Sequence, residues 1–79
     1  MNKIMVDGVE VTTNYPGGAS GYPYSDGNDK KTMKMILVNF QEREMDVIKR
    51  CVKNGYTRVT FYETTTRVRG YHKLLAFAK

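Results

Sequence analysis

The sequence predicts an α+β domain, in which a small, mainly antiparallel β-sheet of four to five strands carries one amphipathic helix on one face. Three observations lead to this fold class. Short segments of alternating apolar or β-branched residues occur near both ends of the chain, one apolar run of strand length lies between them, and one stretch has helical periodicity. With 79 residues, the chain is expected to form a single domain, 1–79.

The segment Lys3–Thr12 is predicted to form a β-hairpin. Apolar residues alternate on both sides of Asp7-Gly8. A type I′ turn requires φ > 0 at both of its central positions, which suits Asp followed by Gly. A single strand interrupted by a bulge is the alternative interpretation.

A flexible loop is predicted at 14–29, because this segment holds four Gly, two Pro and three Tyr but no Val, Ile or Leu. Loops of this length in compact domains tend to be functional or disordered. Tyr offers a large contact area at low entropic cost, so Tyr15, Tyr22 and Tyr24 are candidates for a partner-binding loop. The simpler interpretation is that one tyrosine packs on the core and the rest of the loop is mobile.

The middle of the chain predicts a strand followed by the clearest helix. Lys34–Asn39 is a near-continuous apolar run, which is typical of a strand in the middle of a sheet. The helix is predicted over Gln41–Asn54. Asn39 and Glu42 resemble a capping box at its start. Asn54 followed by Gly55 favours a left-handed stop at its end.

One side of this helix is apolar and the other is charged. At 100° per residue, five apolar side chains fall on one stripe: Met45, Val47, Ile48, Cys51 and Val52. The charged side includes Asp46 and Arg50, which are spaced for a favourable i,i+4 pair. We therefore expect the apolar stripe to pack on the sheet and the charged side to face water.

A second hairpin is predicted for residues 56–79. Arg58–Glu63 alternates and is rich in β-branched and aromatic residues, so Val59 and Phe61 should point to the core. Thr64–Thr66 is the predicted turn, and Arg67–Tyr71 returns, with a bulge at Gly70 as one option. Tyr71–Lys79 has features of both helix and strand, and we favour the strand.

The strongest candidate binding site is the outward face of this hairpin, because residues i and i+2 of a strand share a face. Basic and aromatic side chains would gather there if no bulge intervened. The candidate nucleic-acid-binding residues are Arg58, Tyr62, Arg67, Arg69, Tyr71 and Lys73. Cations neutralise phosphates and tyrosine rings stack on unpaired bases. The plain alternative is a solvated sheet face on which Arg and Tyr pack together.

Charge is distributed unevenly along the chain. Residues 1–29 hold one basic and four acidic residues, whereas residues 30–79 hold twelve basic and four acidic residues. The net charge of +5 and the basic C-terminal part suit a polyanionic partner. The alternative is that ordinary variation in the composition of a solvated surface produces the same uneven distribution of charge.

Catalytic and metal chemistry have little support in the sequence. One Cys and one His cannot supply the ligands of a zinc site, so we expect no metal and no cofactor. Cys51 lies on the apolar stripe of the helix and is expected to pack in the core. The succession of helix, Asn54-Gly55, aromatic residue, strand and a strand bearing His72 resembles small toxin-type RNA-cleaving domains. That resemblance implies a nuclease with His72 as its single base.

Composition excludes several classes of protein. One Cys cannot form an internal disulfide, the first residues contain no apolar segment of signal-peptide type, and no apolar run reaches about 18 residues. The expectation is a cytoplasmic, non-enzymatic module that contacts nucleic acid or a nucleoprotein complex. A homodimer or a protein partner would support so small a core.

Two alternatives remain open. The first is an inhibitor or regulator of the phage or mobile-element type, such as an anti-CRISPR-like protein, that acts through the tyrosine-rich loop. The second is a small RNA-cleaving enzyme that uses His72.

Overall fold

The fold is α+β, as predicted, with one five-stranded sheet and two helices. The computed structural model describes residues 3–15, 21–25, 28–39, 41–68 and 71–79, with the backbone alone described at 65–68, 71 and 72. In chain order the elements are β1 (Met5–Val6), β2 (Val9–Asn14), α1 (Asp29–Thr32), β3 (Lys34–Ile36), α2 (Glu44–Lys53), β4 (Arg58–Val68) and β5 (Tyr71–Ala78). No helix within these ranges is long and apolar enough to cross a membrane.

The strands lie in the order β1-β2-β4-β5-β3. The β2–β4 pair is parallel and the other three pairs are antiparallel, so the sheet is mixed but mainly antiparallel. Helix α2 packs on one face of the sheet, which we call the helix face. The short helix α1 and the residue after it pack on the other, which we call the cap face.

The predicted N-terminal hairpin is confirmed. Val6 pairs with Val9 across the turn. Asp7 and Gly8 have φ values of 50° and 89°, as a type I′ turn requires. The alternative of one bulged strand is therefore wrong.

Helix α2 ends as the sequence predicts. Gly55 has φ 80°, and its N–H donates to the carbonyl of Val52 over 3.3 Å. The N–H of Tyr56 donates to the carbonyl of Cys51 over 2.9 Å. These two hydrogen bonds form a Schellman motif, which satisfies carbonyls that the last helical turn leaves open.

The start of α2 differs from the prediction. The N–H of Asn39 does donate to Glu42 Oε1 over 3.0 Å, but this contact closes a turn ahead of the helix, which begins at Glu44. Arg50 forms its ion pair with Glu42 over 2.7 Å, and not with Asp46 as predicted. The Asn39 N–H and the Arg50 guanidinium together lower the pKa of Glu42.

The hydrophobic core lies between α2 and the helix face of the sheet. It is formed by Val9, Val11, Tyr15, Val38, Val47, Ile48, Cys51, Val59, Phe61, Ala76 and Ala78. The prediction that Val59 and Phe61 point to the core is confirmed, since both are fully buried. Met45 and Val52 lie at one edge of the helix stripe and remain exposed, so the buried stripe is narrower than predicted.

The position of β3 corrects the prediction for Lys34–Asn39. The strand ends at Ile36 and lies at an edge of the sheet, where it pairs with β5 alone. Leu37 is 79 % exposed, whereas Val38 reaches the core after the strand has ended. An apolar run indicates that a segment meets the core, but strand order depends on distant pairings that the run does not contain.

The C-terminal hairpin is confirmed, and its turn lies elsewhere than predicted. Strand β4 continues through Thr64–Thr66 to Val68, because three β-branched residues in a row favour extended backbone. A register irregularity falls between Glu63 and Arg67. The predicted bulge at Gly70 lies outside the described residues. The C-terminal segment is a strand, Tyr71–Ala78, as favoured.

Candidate nucleic-acid interface

The predicted face of β4 exists, because Arg58, Thr60 and Tyr62 alternate with the core residues and therefore lie on the cap face. Strand β5 continues this face, with Phe77 opposite Thr60 and Leu75 opposite Tyr62. However, the face is not open to solvent as the sequence suggested, because α1 and Met33 cover part of it.

The ring of Tyr62 is buried beneath this cover. Tyr62 is 6 % exposed and meets Phe77 edge to face, with ring centroids 5.4 Å apart and planes at 84°. Met33 and Leu75 complete the cluster, and Lys30 Nζ lies 4.7 Å from the centre of the Tyr62 ring. The ring therefore already has an aromatic neighbour and a cation, and a base would reach it only after α1 had moved.

The charge of Arg58 is largely compensated within the protein. Its side chain is 41 % exposed, with Nε 3.5 Å from Glu10 Oε2 and Nη2 3.8 Å from Asp29 Oδ1. Glu10 lies opposite Arg58 on the neighbouring strand, which explains the first contact. Because both carboxylates lie beside the guanidinium, Arg58 contributes less positive potential to this face than the sequence implied.

Asp29 links α1 to the sheet through a hydrogen bond with Thr60 on β4, and the sequence did not indicate this role. It is 4 % exposed and accepts hydrogen bonds from the hydroxyls of Ser25 and Thr60, the latter over 2.8 Å. The Thr60 hydroxyl also lies 2.7 Å from that of Thr12. The Thr60 hydroxyl donates its single proton to Asp29, so it accepts the hydrogen bond from the Thr12 hydroxyl. The spacing of these residues in the sequence gives no sign of this network.

Four lysines lie on the cap-face side of the sheet, on α1 and on or just after β5. Lys30 and Lys31 are both exposed on α1. Lys73 is half-buried on β5 and Lys79 is exposed just beyond its end. None of these four forms an ion pair with another residue in the described part of the chain. The basic character of this side therefore comes from lysines that the sequence did not single out, together with Lys73, which it did.

The β4–β5 hairpin extends beyond the rest of the sheet. Among the described residues, β4 pairs with β2 only as far as Tyr62, and β5 pairs with β3 only as far as Ala76. Past those points the two strands pair with each other alone, up to Val68 opposite Tyr71. We call this two-stranded segment, residues 63–68 and 71–75, the ribbon. At about 3.3 Å per residue it reaches roughly 15–20 Å past its neighbours.

The ribbon carries two of the four predicted basic residues, Arg67 and Lys73, and they lie on different strands. Arg67 lies on β4 and pairs with His72, while Tyr71 and Lys73 lie on β5. The predicted run of Arg67, Tyr71 and Lys73 along one return strand is therefore wrong, because β4 continues past the three threonines. Arg69 lies outside the described residues.

The three tyrosines of the predicted loop have different surroundings. Tyr15 is buried in the core, where its hydroxyl donates to Glu44. Tyr22 is half-buried against the core. Tyr24 is 66 % exposed, and its backbone lies beside the end of β2, where Thr13 exchanges hydrogen bonds of 2.8–2.9 Å with Pro23 and Ser25. Of the three, Tyr24 offers the most surface to a partner.

Replacement of Tyr15 by phenylalanine tests the contact with Glu44. Burial, together with that hydrogen bond, raises the pKa of Tyr15 above its ordinary value of 10.0. The folded state therefore keeps the proton that the unfolded state releases, and stability falls as the pH rises above about 10. We expect Tyr15→Phe to lose about 1 kcal/mol at neutral pH and to show a weaker decline of stability in alkali. Urea denaturation at pH 7 and pH 11 measures both, and the exposed Tyr24→Phe is the control, expected to leave the decline unchanged.

The two residues considered for catalysis, Cys51 and His72, lie in different elements: Cys51 in α2 and His72 in β5. Cys51 is buried, and burial raises the pKa of its thiol, so the nucleophilic thiolate is disfavoured. The backbone of His72 lies in β5 opposite Arg67. In the described ranges, no three His, Cys, Asp or Glu side chains come together to hold a metal ion.

Comparison of the chain with protein-family models, with curated proteins and with solved structures gives no match. The geometry and charges of this chain are therefore the basis for proposing its function.

Proposed function

We propose that this protein is a small, non-enzymatic module that binds nucleic acid, free or within a nucleoprotein complex, through its ribbon and the neighbouring lysines of α1. One observation carries the proposal: a two-stranded segment with Arg67 and Lys73 extends beyond its neighbours in the sheet. Such partners lie inside cells, so the proposal includes a cytoplasmic location.

The charge balance supports phosphate contact on this side. On the cap face, Glu10 and Asp29 both lie beside Arg58, so they compensate that one cation. Lys30 and Lys31 protrude from α1, and Lys30 stands over the ring of Tyr62, which belongs to the same face as Leu75. Lys73 lies two positions before Leu75 on β5, in the middle of the ribbon. Lysine ammonium groups bind phosphate oxygens as point charges, which needs no single fixed orientation.

The salt dependence of binding tests this proposal. We expect labelled 20-nucleotide DNA and RNA to bind the protein at low salt, with log K falling linearly as log salt rises. Contact with three to five phosphates predicts a slope of about −2 to −5. Fluorescence anisotropy between 20 and 300 mM salt measures the slope. Absence of binding at 20 mM salt would overturn the proposal.

The same samples test the non-enzymatic part. We expect the RNA to remain intact after prolonged incubation with the protein. Cleavage that disappears in the variant His72→Ala would replace the binding proposal with the nuclease alternative.

A second candidate, a protein-binding regulator of the phage or mobile-element type, is favoured by Tyr24. This side chain is largely exposed while hydrogen bonds of Thr13 hold the backbone on either side of it. An aromatic ring on a fixed backbone binds a partner at low entropic cost. Under this alternative, Tyr24→Ala removes partner binding and leaves nucleic-acid binding unchanged, whereas Arg69→Glu has the opposite effect.

A further inference from the structure

We infer that the open edge of β3 is a docking site for an extended, acidic segment of a protein partner, which pairs with β3 as an added strand. This site is separate from the ribbon, because β3 shares no residue with it. Three observations support the assignment: an unpaired strand edge, two exposed apolar side chains beside it, and a group of lysines without acidic neighbours.

Strand β3 leaves backbone hydrogen-bonding groups unpaired along one side. It pairs with β5 only, and in the described part of the chain no strand lies on its other side. Just past the strand, Arg50 Nη1 donates to the carbonyl of Leu37 over 3.0 Å, which fixes the chain at that point. The open edge is therefore Lys34–Ile36, and an extended peptide can form backbone hydrogen bonds with such an edge.

Two large apolar side chains lie beside this edge. Met35 is 58 % exposed and Leu37 is 79 % exposed. Met35 pairs with Phe77, which places it on the cap face. Ile36 and Val38 pack against the core, so alternation places Leu37 on the same side as Met35. A strand added here presents every second side chain to this apolar pair, so those side chains should be apolar as well.

Lysines determine the charge that the added strand should carry. The segment 30–41 contains Lys30, Lys31 and Lys34 and no acidic residue. All three lysines are exposed, and none forms an ion pair with another residue in the described ranges. Lys34 pairs with Ala78 of the core, so it lies on the opposite face from Met35. A segment that alternates apolar and acidic residues therefore matches both faces of this edge.

The same lysines disfavour a second copy of the chain as the occupant. Pairing of two β3 strands about a two-fold axis would bring the lysines of both copies together, with no acidic residue of 30–41 between them. Lysine on an edge strand commonly prevents such self-pairing. An acidic partner turns this repulsion into attraction, so the charge selects between the two occupants.

Heptapeptides test this site on the unaltered protein. The probe alternates Glu and Val. Of its three controls, one alternates Lys and Val, one alternates Glu and Ser, and one is the probe with all its peptide nitrogens methylated, which removes the backbone donors. We expect the probe to bind at least about tenfold more tightly than each control. It should also shift the backbone amide signals of Lys34–Ile36 in ¹H–¹⁵N NMR spectra.

The variant Met35→Thr/Leu37→Ser tests the apolar contribution. Both side chains are exposed and threonine favours strands, so we expect the variant to remain folded. It should lose at least about fivefold in affinity for the Glu/Val probe and keep its affinity for nucleic acid. Met45→Thr is the matched control, because Met45 is an exposed methionine about 140° around α2 from Arg50, which contacts Leu37. It should leave binding of the probe unchanged.

Three outcomes overturn this assignment. Equal binding of the Glu/Ser peptide would mean that charge alone attracts the probe, and failure of the Glu/Val probe to bind or to shift the β3 signals would remove the site. A dimer in sedimentation that Met35→Thr/Leu37→Ser dissociates would assign the edge to a second copy. If circular dichroism shows that this variant is unfolded, the peptide series with the unaltered protein decides. Loss of the proposed nucleic-acid binding would leave the docking site standing, since the two are measured with separate probes.

Discussion

Replacing Asp29 with alanine is expected to lower the free energy of unfolding by about 2–3 kcal/mol. The carboxylate is buried and accepts hydrogen bonds from Ser25 and Thr60, with Arg58 at 3.8 Å. Its removal leaves buried hydroxyls without their acceptor and withdraws one of the two carboxylates beside the guanidinium. The cost of such unsatisfied groups exceeds the loss of an ordinary surface contact.

Urea denaturation of the variant and the unaltered protein measures this difference. Glu63→Ala is the matched control, because Glu63 is an exposed carboxylate on the same sheet and should change stability by less than about 0.5 kcal/mol. A double-mutant cycle of Asp29→Ala with Thr60→Val isolates the contact between the two side chains. Equal stability of Asp29→Ala and the unaltered protein would show that this network does not fasten α1.

The Asp29→Ala substitution should also release α1 from the sheet, which has a consequence for binding. Tyr62 and Phe77 lie under Met33 and Lys30, so they become accessible when this cover is released. A folded Asp29→Ala variant should therefore bind single strands more tightly than the unaltered protein, because two rings are then free to stack on bases.

The sequence predicted those features that depend on local pattern. Alternation placed Val59 and Phe61 in the core, and Gly55 marked the end of α2, because a strand face and a left-handed stop are each set by a few neighbouring residues. The turn at Asp7-Gly8 is likewise set by neighbouring residues, and it was predicted correctly.

The cap over the predicted binding face could not be found in this way. Asp29–Thr32 is a four-residue helix with no apolar periodicity, and it is fastened by a hydrogen bond to Thr60, 31 positions later in the sequence. The pairing of β3 with β5 joins residues that are still farther apart in the sequence. Local pattern therefore identified the face of Arg58 and Tyr62 but not what covers it.

Reversing two charges on the ribbon is expected to weaken binding to nucleic acid about 100-fold at 50 mM salt. In Arg67→Glu/Lys73→Glu, two favourable phosphate contacts become repulsions, and the salt slope should decrease in magnitude by about two. Both residues lie on the paired strands of the ribbon, past the points where β4 pairs with β2 and β5 pairs with β3. We therefore expect the variant to remain folded, which circular dichroism verifies.

The matched control is Lys49→Glu/Lys53→Glu. These two exposed lysines lie on α2, on the opposite side of the sheet from α1. Each double variant lowers the net charge from +5 to +1, so the long-range electrostatic effect on the two is similar. If binding depends on the ribbon, the control should lose no more than about threefold in affinity. Equal losses in both variants would mean that net charge alone attracts the nucleic acid and that the ribbon is not the binding site.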